Sequence, residues 1–118
     1  MRPKEFAQIQ WFLETQLDRF LNGENDAADP WKRHADSLLI LYILHQTGSR
    51  LSEAAYIATH KDDKGIVYKK EPPTKVPHYD HEHMLVTKGM VTKTKLRDAS
   101  DYHYRVPAKT KVFKYLSH

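Results

Sequence analysis

The sequence predicts an α+β fold in which three N-terminal helices precede a small antiparallel β-sheet. Apolar residues recur at spacings of three and four over residues 3–22 and again over 51–59. Between them the stretch "SLLILYILHQ" is apolar on every face. Beyond Lys64 and Gly65 the pattern changes, and "MLVTKGMVTKTKL" and "YHYRVPA" alternate apolar and polar residues. Helical spacing argues for helices, and alternation argues for strands with one buried face.

The first helix is set by Phe6, Ile9, Leu13, Leu17, Phe20 and Leu21, and it ends at "NGEND", where Gly23 follows the last periodic residue. A polar loop through Asp29 and Pro30 leads to a second helix, expected over residues 31–47. Its all-round apolar middle predicts a position in the centre of the domain. It stops at Gly48, and a third helix over residues 51–59 offers Leu51, Ala54, Ala55 and Ile57 for packing. "GIVYKKE" reads as a short strand, while "PPTKVPHYDHEH" contains three prolines and forms no regular element. "MLVTKGMVTKTKL" and "YHYRVPA" alternate and are separated by "RDASD", which carries turn chemistry, so a hairpin is expected from about Leu85 to Val106. Tyr102 and Tyr104 fall on one face of its second strand and are expected to cover the core. "KTKVFKYLSH" opens a further short helix.

At 118 residues the chain supports one domain (1–118) with one modest core. The absence of cysteine excludes disulfides and Cys-ligated zinc, so the core must hold the fold alone. No apolar run reaches membrane-spanning length and the N-terminus lacks a signal-peptide core, which makes a cytoplasmic protein without membrane association the expectation. The net charge of +4 conceals an asymmetry. Residues 1–60 carry six Lys/Arg against eight Asp/Glu, whereas residues 61–118 carry thirteen against seven. A basic half of this kind is the footprint of a phosphate-backbone binder, and also of an ordinary solvated surface.

One charge stands out. Arg50 lies in "TGSRLSE", in the turn between the apolar helix and the mixed one, where it either pairs with Glu53 or faces an anion. A guanidinium offers a rigid fork of donors matched to phosphate oxygens and keeps its charge at every physiological pH.

"LLILYILHQTGSRLSEAAYI" resembles the first conserved box of the catalytic domain of tyrosine recombinases, or phage integrases: an apolar helix, then Thr-Gly-x-Arg, an aliphatic residue, a small residue and Glu. The matching positions are Thr47, Gly48, Arg50, Leu51, Ser52 and Glu53. "TKTKLRDASDYHYRVP" is similar to the family's basic hairpin with its Val-Pro pair, here Val106 and Pro107, and "RPKEFAQIQWFLE" is similar to the opening helix. The resemblance spans about residues 3–115, the N-terminal half of that catalytic domain. It implies that Arg50 contacts the scissile phosphate, that Glu53 buttresses it, and that Lys95 or Lys93 is the hairpin lysine acting as general acid, with Lys95 favoured. It further implies a double-stranded DNA partner met by Arg50, Lys88, Lys93, Lys95, Arg97 and Arg105, other recombinase subunits as additional partners, and a role in DNA integration and site-specific recombination in a mobile element. No cofactor is implied.

The departures are equally specific. No histidine is followed three residues later by arginine, and His103 and Arg105 are spaced wrongly for that box. Tyr115 follows the hairpin too closely to be the family's nucleophile. The resemblance does not extend to the core-binding domain that usually precedes the catalytic one, which this sequence is not expected to hold. The chain is read as a piece of a longer enzyme or a short protein that retains the DNA-facing half, and in either case as inactive in strand transfer, since covalent catalysis requires its nucleophile.

Two other classes compete with this reading. The apolar helix, the Gly48 turn and the third helix can form a helix-turn-helix with the hairpin as wing, making the chain a DNA-binding regulator. "LSEAAYIATH", however, is poor in the Arg, Asn and Gln that read base edges. "HYDHEH" gathers His78, His81 and His83 with Asp80 and Glu82, ligands suited to Zn, Ni or Cu. Crowding in one loop without separated ligand segments favours surface histidines over a metal site. Trp11 and Trp31 are expected as packing residues, and His45 as a core histidine with its hydrogen bonds satisfied.

Overall fold

In the structure, a computed structural model, residues 2–23, 34–61, 65–70, 83–90 and 100–117 are described. Their order is α1 (Pro3–Leu21), α2 (Ala35–Thr47), α3 (Leu51–Thr59), β1 (Ile66–Lys70), β2 (His83–Met90), β3 (Ser100–Val106) and α4 (Val112–Leu116). The strands form one antiparallel sheet in the order β1-β2-β3. The mixed helix-and-sheet architecture expected from the sequence is therefore present.

The helices follow their sequence signals. α1 begins with Pro3 in its first turn, where the missing N–H is harmless, and carries Glu5 near the positive end of the helix dipole. α2 ends at Gly48, whose φ of 68° lies in the left-handed region and whose N–H is donated to the Leu44 carbonyl at 2.9 Å. An L-residue there would meet no steric obstacle but would pay for the conformation itself. α3 occupies the expected residues, 51–59.

α2 is the central element and packs against α1, α3, α4 and β3. Leu13 and Leu17 of α1, Leu38, Tyr42 and Ile43 of α2, Ala54 and Ile57 of α3, Leu85 of β2, Val106 of β3 and Val112 and Leu116 of α4 share one core. Registration explains which strand residues join it. Leu85 pairs with Tyr104, Thr87 with Tyr102 and Ile66, and His83 with Val106, so these positions share the helix-facing side of the sheet. Met84, Val86, His103 and Arg105 take the opposite side by alternation. Tyr104 is buried and Tyr102 packs against the core from partial burial, as their shared strand face predicts.

Several expectations need correction. α2 is not enclosed: Leu41 is 50% exposed despite the apolar sequence around it, because α1 covers only one flank. Leu51 is 65% exposed and contributes no packing, since the first residue of α3 projects beyond its neighbours. Trp11 is 70% exposed, so it lies over no core. Ile9 and Phe12 are also exposed, and with Leu41 they leave an apolar strip along the α1–α2 groove. β3 starts at Ser100, so Ser100 and Asp101, read as turn residues, continue the strand. Asp101 earns its place there by accepting the Gly89 N–H at 3.2 Å, beside the irregular step between Thr87 and Met90. Residues 31–33, the expected start of the second helix, and 91–99, the centre of the hairpin, lie outside the described residues.

A polar joint ties the C-terminal segment to the helices. The Tyr42 hydroxyl donates to Glu14 Oε2 at 2.5 Å and accepts the Lys111 main-chain N–H at 3.1 Å. The Tyr115 hydroxyl donates to Asp18 Oδ1 at 2.9 Å, and Lys111 Nζ reaches Asp18 Oδ2 at 2.9 Å. The two tyrosine rings meet edge to face at 5.2 Å.

Candidate functional site

The turn Thr47–Glu53 is built by short-range hydrogen bonds of the Thr47, Ser49 and Glu53 side chains. Thr47 Oγ1 donates to the Ile43 carbonyl at 2.7 Å and accepts the Ser49 N–H at 3.2 Å. It thereby finishes α2 and starts the turn that Gly48 reverses. Ser49 Oγ donates to the Arg50 carbonyl at 3.3 Å, and the same carbonyl receives the Ala54 N–H at 3.0 Å as the first bond of α3.

Arg50 is the N-cap of α3, with extended backbone (φ −75°, ψ 158°). A guanidinium has no acceptor with which to cap a helix. Glu53 compensates by reaching back, its Oε2 accepting the Arg50 N–H at 2.8 Å. Its other oxygen, Oε1, accepts the Tyr104 hydroxyl of β3 at 3.0 Å. Each oxygen of Glu53 thus accepts one hydrogen bond, one from a main-chain amide and one from a tyrosine. Its contact with Arg50 among the described residues is to the main-chain N–H and not to the guanidinium.

The consequence for Arg50 is a fixed main chain and a free side chain. Arg50 is exposed, and its guanidinium makes no ion pair or hydrogen bond among the described residues. Of the two readings of this arginine from sequence, the Glu53-paired one therefore does not hold at the guanidinium.

The other cations fall into three groups. Lys88 is exposed on β2, its main-chain N–H donated to the Gly65 carbonyl. Arg105 is exposed on β3 opposite Met84, on the side of the sheet facing away from the helices. Lys93, Lys95 and Arg97 lie outside the described residues. Tyr104 is what joins the Arg50 turn to the sheet, since it is the β3 residue bonded to Glu53.

Other candidates resolve as follows. Tyr115 is 3% exposed, and burial, followed by the bond to Asp18, pushes its hydroxyl pKa above the ordinary tyrosine value. It is a protonated donor inside the polar joint and has no nucleophile's exposure. His78 and His81 lie outside the described residues, while His83 is in β2 with its ring edge-on to Phe113 at 5.8 Å. No group of His, Asp and Glu among the described residues is arranged to hold a metal ion. His45 stacks on Phe6 at 3.9 Å and its Nδ1 meets Gln46 Nε2 at 3.1 Å, but its buried Nε2 has no partner among the described residues. Desolvation lowers its pKa and outweighs the Phe6 main chain, which acts in the opposite direction, favouring the neutral ring.

Sequence reasoning missed the role of Tyr104. A signal existed: a tyrosine on a core-facing strand position has a hydroxyl that must find an acceptor, and Glu53 is a carboxylate of the helical half. No protein-family model, curated protein or solved structure matches this chain. Among the described residues no helix is long and apolar enough to cross a membrane.

Proposed function

We propose that the chain is a DNA-binding module of the cytoplasm, similar to the N-terminal half of a tyrosine recombinase catalytic domain, in which Arg50 contacts a backbone phosphate. The observation that carries this reading is the Arg50 turn. Its main chain is locked by Glu53, Ser49 and Ala54, while its exposed guanidinium has no partner among the described residues. A guanidinium on a fixed main chain beside the positive end of a helix favours an anion with the spacing of phosphate oxygens. The basic second half supplies further phosphate contacts through Lys88, Arg105 and the hairpin residues Lys93, Lys95 and Arg97, with Lys95 or Lys93 as the hairpin lysine of the family pattern. Double-stranded DNA is the partner, and association with recombinase subunits that carry the nucleophile would complete the chemistry of integration.

The helix-turn-helix alternative places its base-reading residues on α3. Its exposed positions there are Leu51, Ser52 and Thr59, and Thr59 Oγ1 already donates to the Ala55 carbonyl at 2.9 Å. This leaves little to read a groove with. Fluorescence anisotropy on a mixed-sequence duplex separates the two: Arg50→Ala should weaken binding and Ser52→Ala/Thr59→Ala should leave it unchanged. The opposite pattern would assign the chain to the helix-turn-helix class.

A further inference from the structure

We infer that Tyr104 is a positioning residue for Arg50, coupling β3 to the phosphate-contacting turn through the two oxygens of Glu53. This rests on the proposed DNA contact of Arg50 and adds to it the residue that sets that contact's geometry.

The Glu53 carboxylate is bidentate between two elements that do not otherwise share a hydrogen bond among the described residues. Oε2 takes the Arg50 N–H at 2.8 Å and Oε1 takes the Tyr104 hydroxyl at 3.0 Å. Tyr104 is fit for this task because it cannot wander. It is 9% exposed, paired with Leu85 in the middle of the β2–β3 ladder, and stacked near-parallel with Tyr102 at 6.4 Å. Its hydroxyl stays protonated, since burial and then the Glu53 bond push its pKa upward. A rigid donor on the sheet therefore sets the carboxylate, and the carboxylate sets the amide of Arg50.

Without Tyr104's hydroxyl, Glu53 is anchored only by the N–H of the residue it is supposed to hold, and its side chain regains rotamers. The turn would then keep its fold through Thr47, Gly48 and the α3 hydrogen bonds but lose its registration to the sheet. Arg105 is the next residue of β3 and lies on the opposite side of the sheet. The same tyrosine thus ties the Arg50 turn to the strand that carries Arg105. Preorganisation of this kind reduces the ordering cost of binding rather than adding a contact.

Tyr104→Phe keeps the ring and removes the donor, and Glu53→Gln is a second variant that keeps the shape but leaves only one accepting oxygen. Two measurements are made on the full chain. The first is the Arg50 amide resonance in ¹⁵N–¹H spectra without DNA, which should move in both variants. The second is affinity for a mixed-sequence duplex, which should fall by about 3- to 10-fold in either variant and show no further fall when the change is made in an Arg50→Ala background. A merely structural tyrosine would lower the melting temperature and leave both readings in place at temperatures where the variant is folded. If Arg50→Ala weakens DNA binding while Tyr104→Phe and Glu53→Gln leave the amide and the affinity unchanged, the coupling is overturned and the phosphate contact stands. If Arg50→Ala itself leaves DNA binding unchanged, both fall, because Tyr104 then has no contact to position.

Discussion

Tyr42→Phe removes a single oxygen from the centre of the helical layer, and the structure gives the size of its effect. Tyr42 is fully buried. Its hydroxyl donates to the Glu14 carboxylate at 2.5 Å and accepts the Lys111 N–H at 3.1 Å, with Thr110 Oγ1 at 3.5 Å. Loss of the charge-assisted bond costs about 1.5–3 kcal/mol when the partner is buried. Glu14 is only half-buried and retains Gln10 Nε2 at 3.2 Å, so the lower end applies to it. The Lys111 amide is left without its acceptor at the entry to α4, which adds roughly 1 kcal/mol. The total is about 2–3 kcal/mol, or a fall in melting temperature of about 8–12 °C for a domain of this size. Urea denaturation followed by circular dichroism should show a lower midpoint with an unchanged slope, because the same surface is exposed on unfolding. A loss below about 0.5 kcal/mol, the range of an ordinary surface change, would refute the view that this hydroxyl joins α1 and α2 to the C-terminal segment.

Two further outcomes follow from the same joint. Burial raises the Asp18 pKa, but hydrogen bonds from Lys111 and Tyr115 and the charges of Lys111 and Lys114 outweigh it and hold the carboxyl below its ordinary value. A depressed folded value means that the contribution is complete above the unfolded pKa of about 3.9 and is lost as pH falls through the folded one. Asp18→Asn should therefore cost about 1 kcal/mol at pH 7, a modest figure because the side chain is 26% exposed, and should flatten the acid limb of the stability curve below about pH 4. An acid limb as steep as that of the wild type would contradict this. Incubation with supercoiled DNA should yield neither nicks nor a protein–DNA adduct, since Tyr115 is buried and bonded to Asp18; an adduct mapped to Tyr115 by mass spectrometry would overturn that assignment.

The helices were legible because local signals and tertiary packing agree. Pro3 and Gly48 mark a start and a stop, and the i, i+4 pair Leu13 and Leu17 of α1 and the i, i+3 pair Ala54 and Ile57 of α3 face the core. Composition misled where coverage by other elements decides. Leu41 and Leu51 have the right chemistry for burial but stay half or more exposed. Ser100 and Asp101 look like turn residues, but the irregular β2–β3 pairing at Gly89 gives Asp101 an amide to accept, so β3 begins earlier. Arg50 could be singled out from its place between two helices. That Glu53 would serve its amide while Tyr104 took the other oxygen depends on a contact spanning 51 residues, which no local pattern encodes. The Tyr42–Glu14 and Tyr115–Asp18 bonds were hidden for the same reason.

The central claim is that Arg50 is held by its backbone for the benefit of an anion, and one variant tests it. Arg50→Ala leaves the Arg50 N–H to Glu53 bond available, because that bond uses only the main chain. Its stability should stay within about 0.5 kcal/mol of the wild type, or roughly 2 °C in melting temperature. Duplex affinity measured between 50 and 200 mM salt should fall for every sequence, and the slope of log K against log salt should flatten by about one unit. An unchanged salt slope, or a stability loss of about 3 kcal/mol that marks a buried partner left unpaired, would contradict the account.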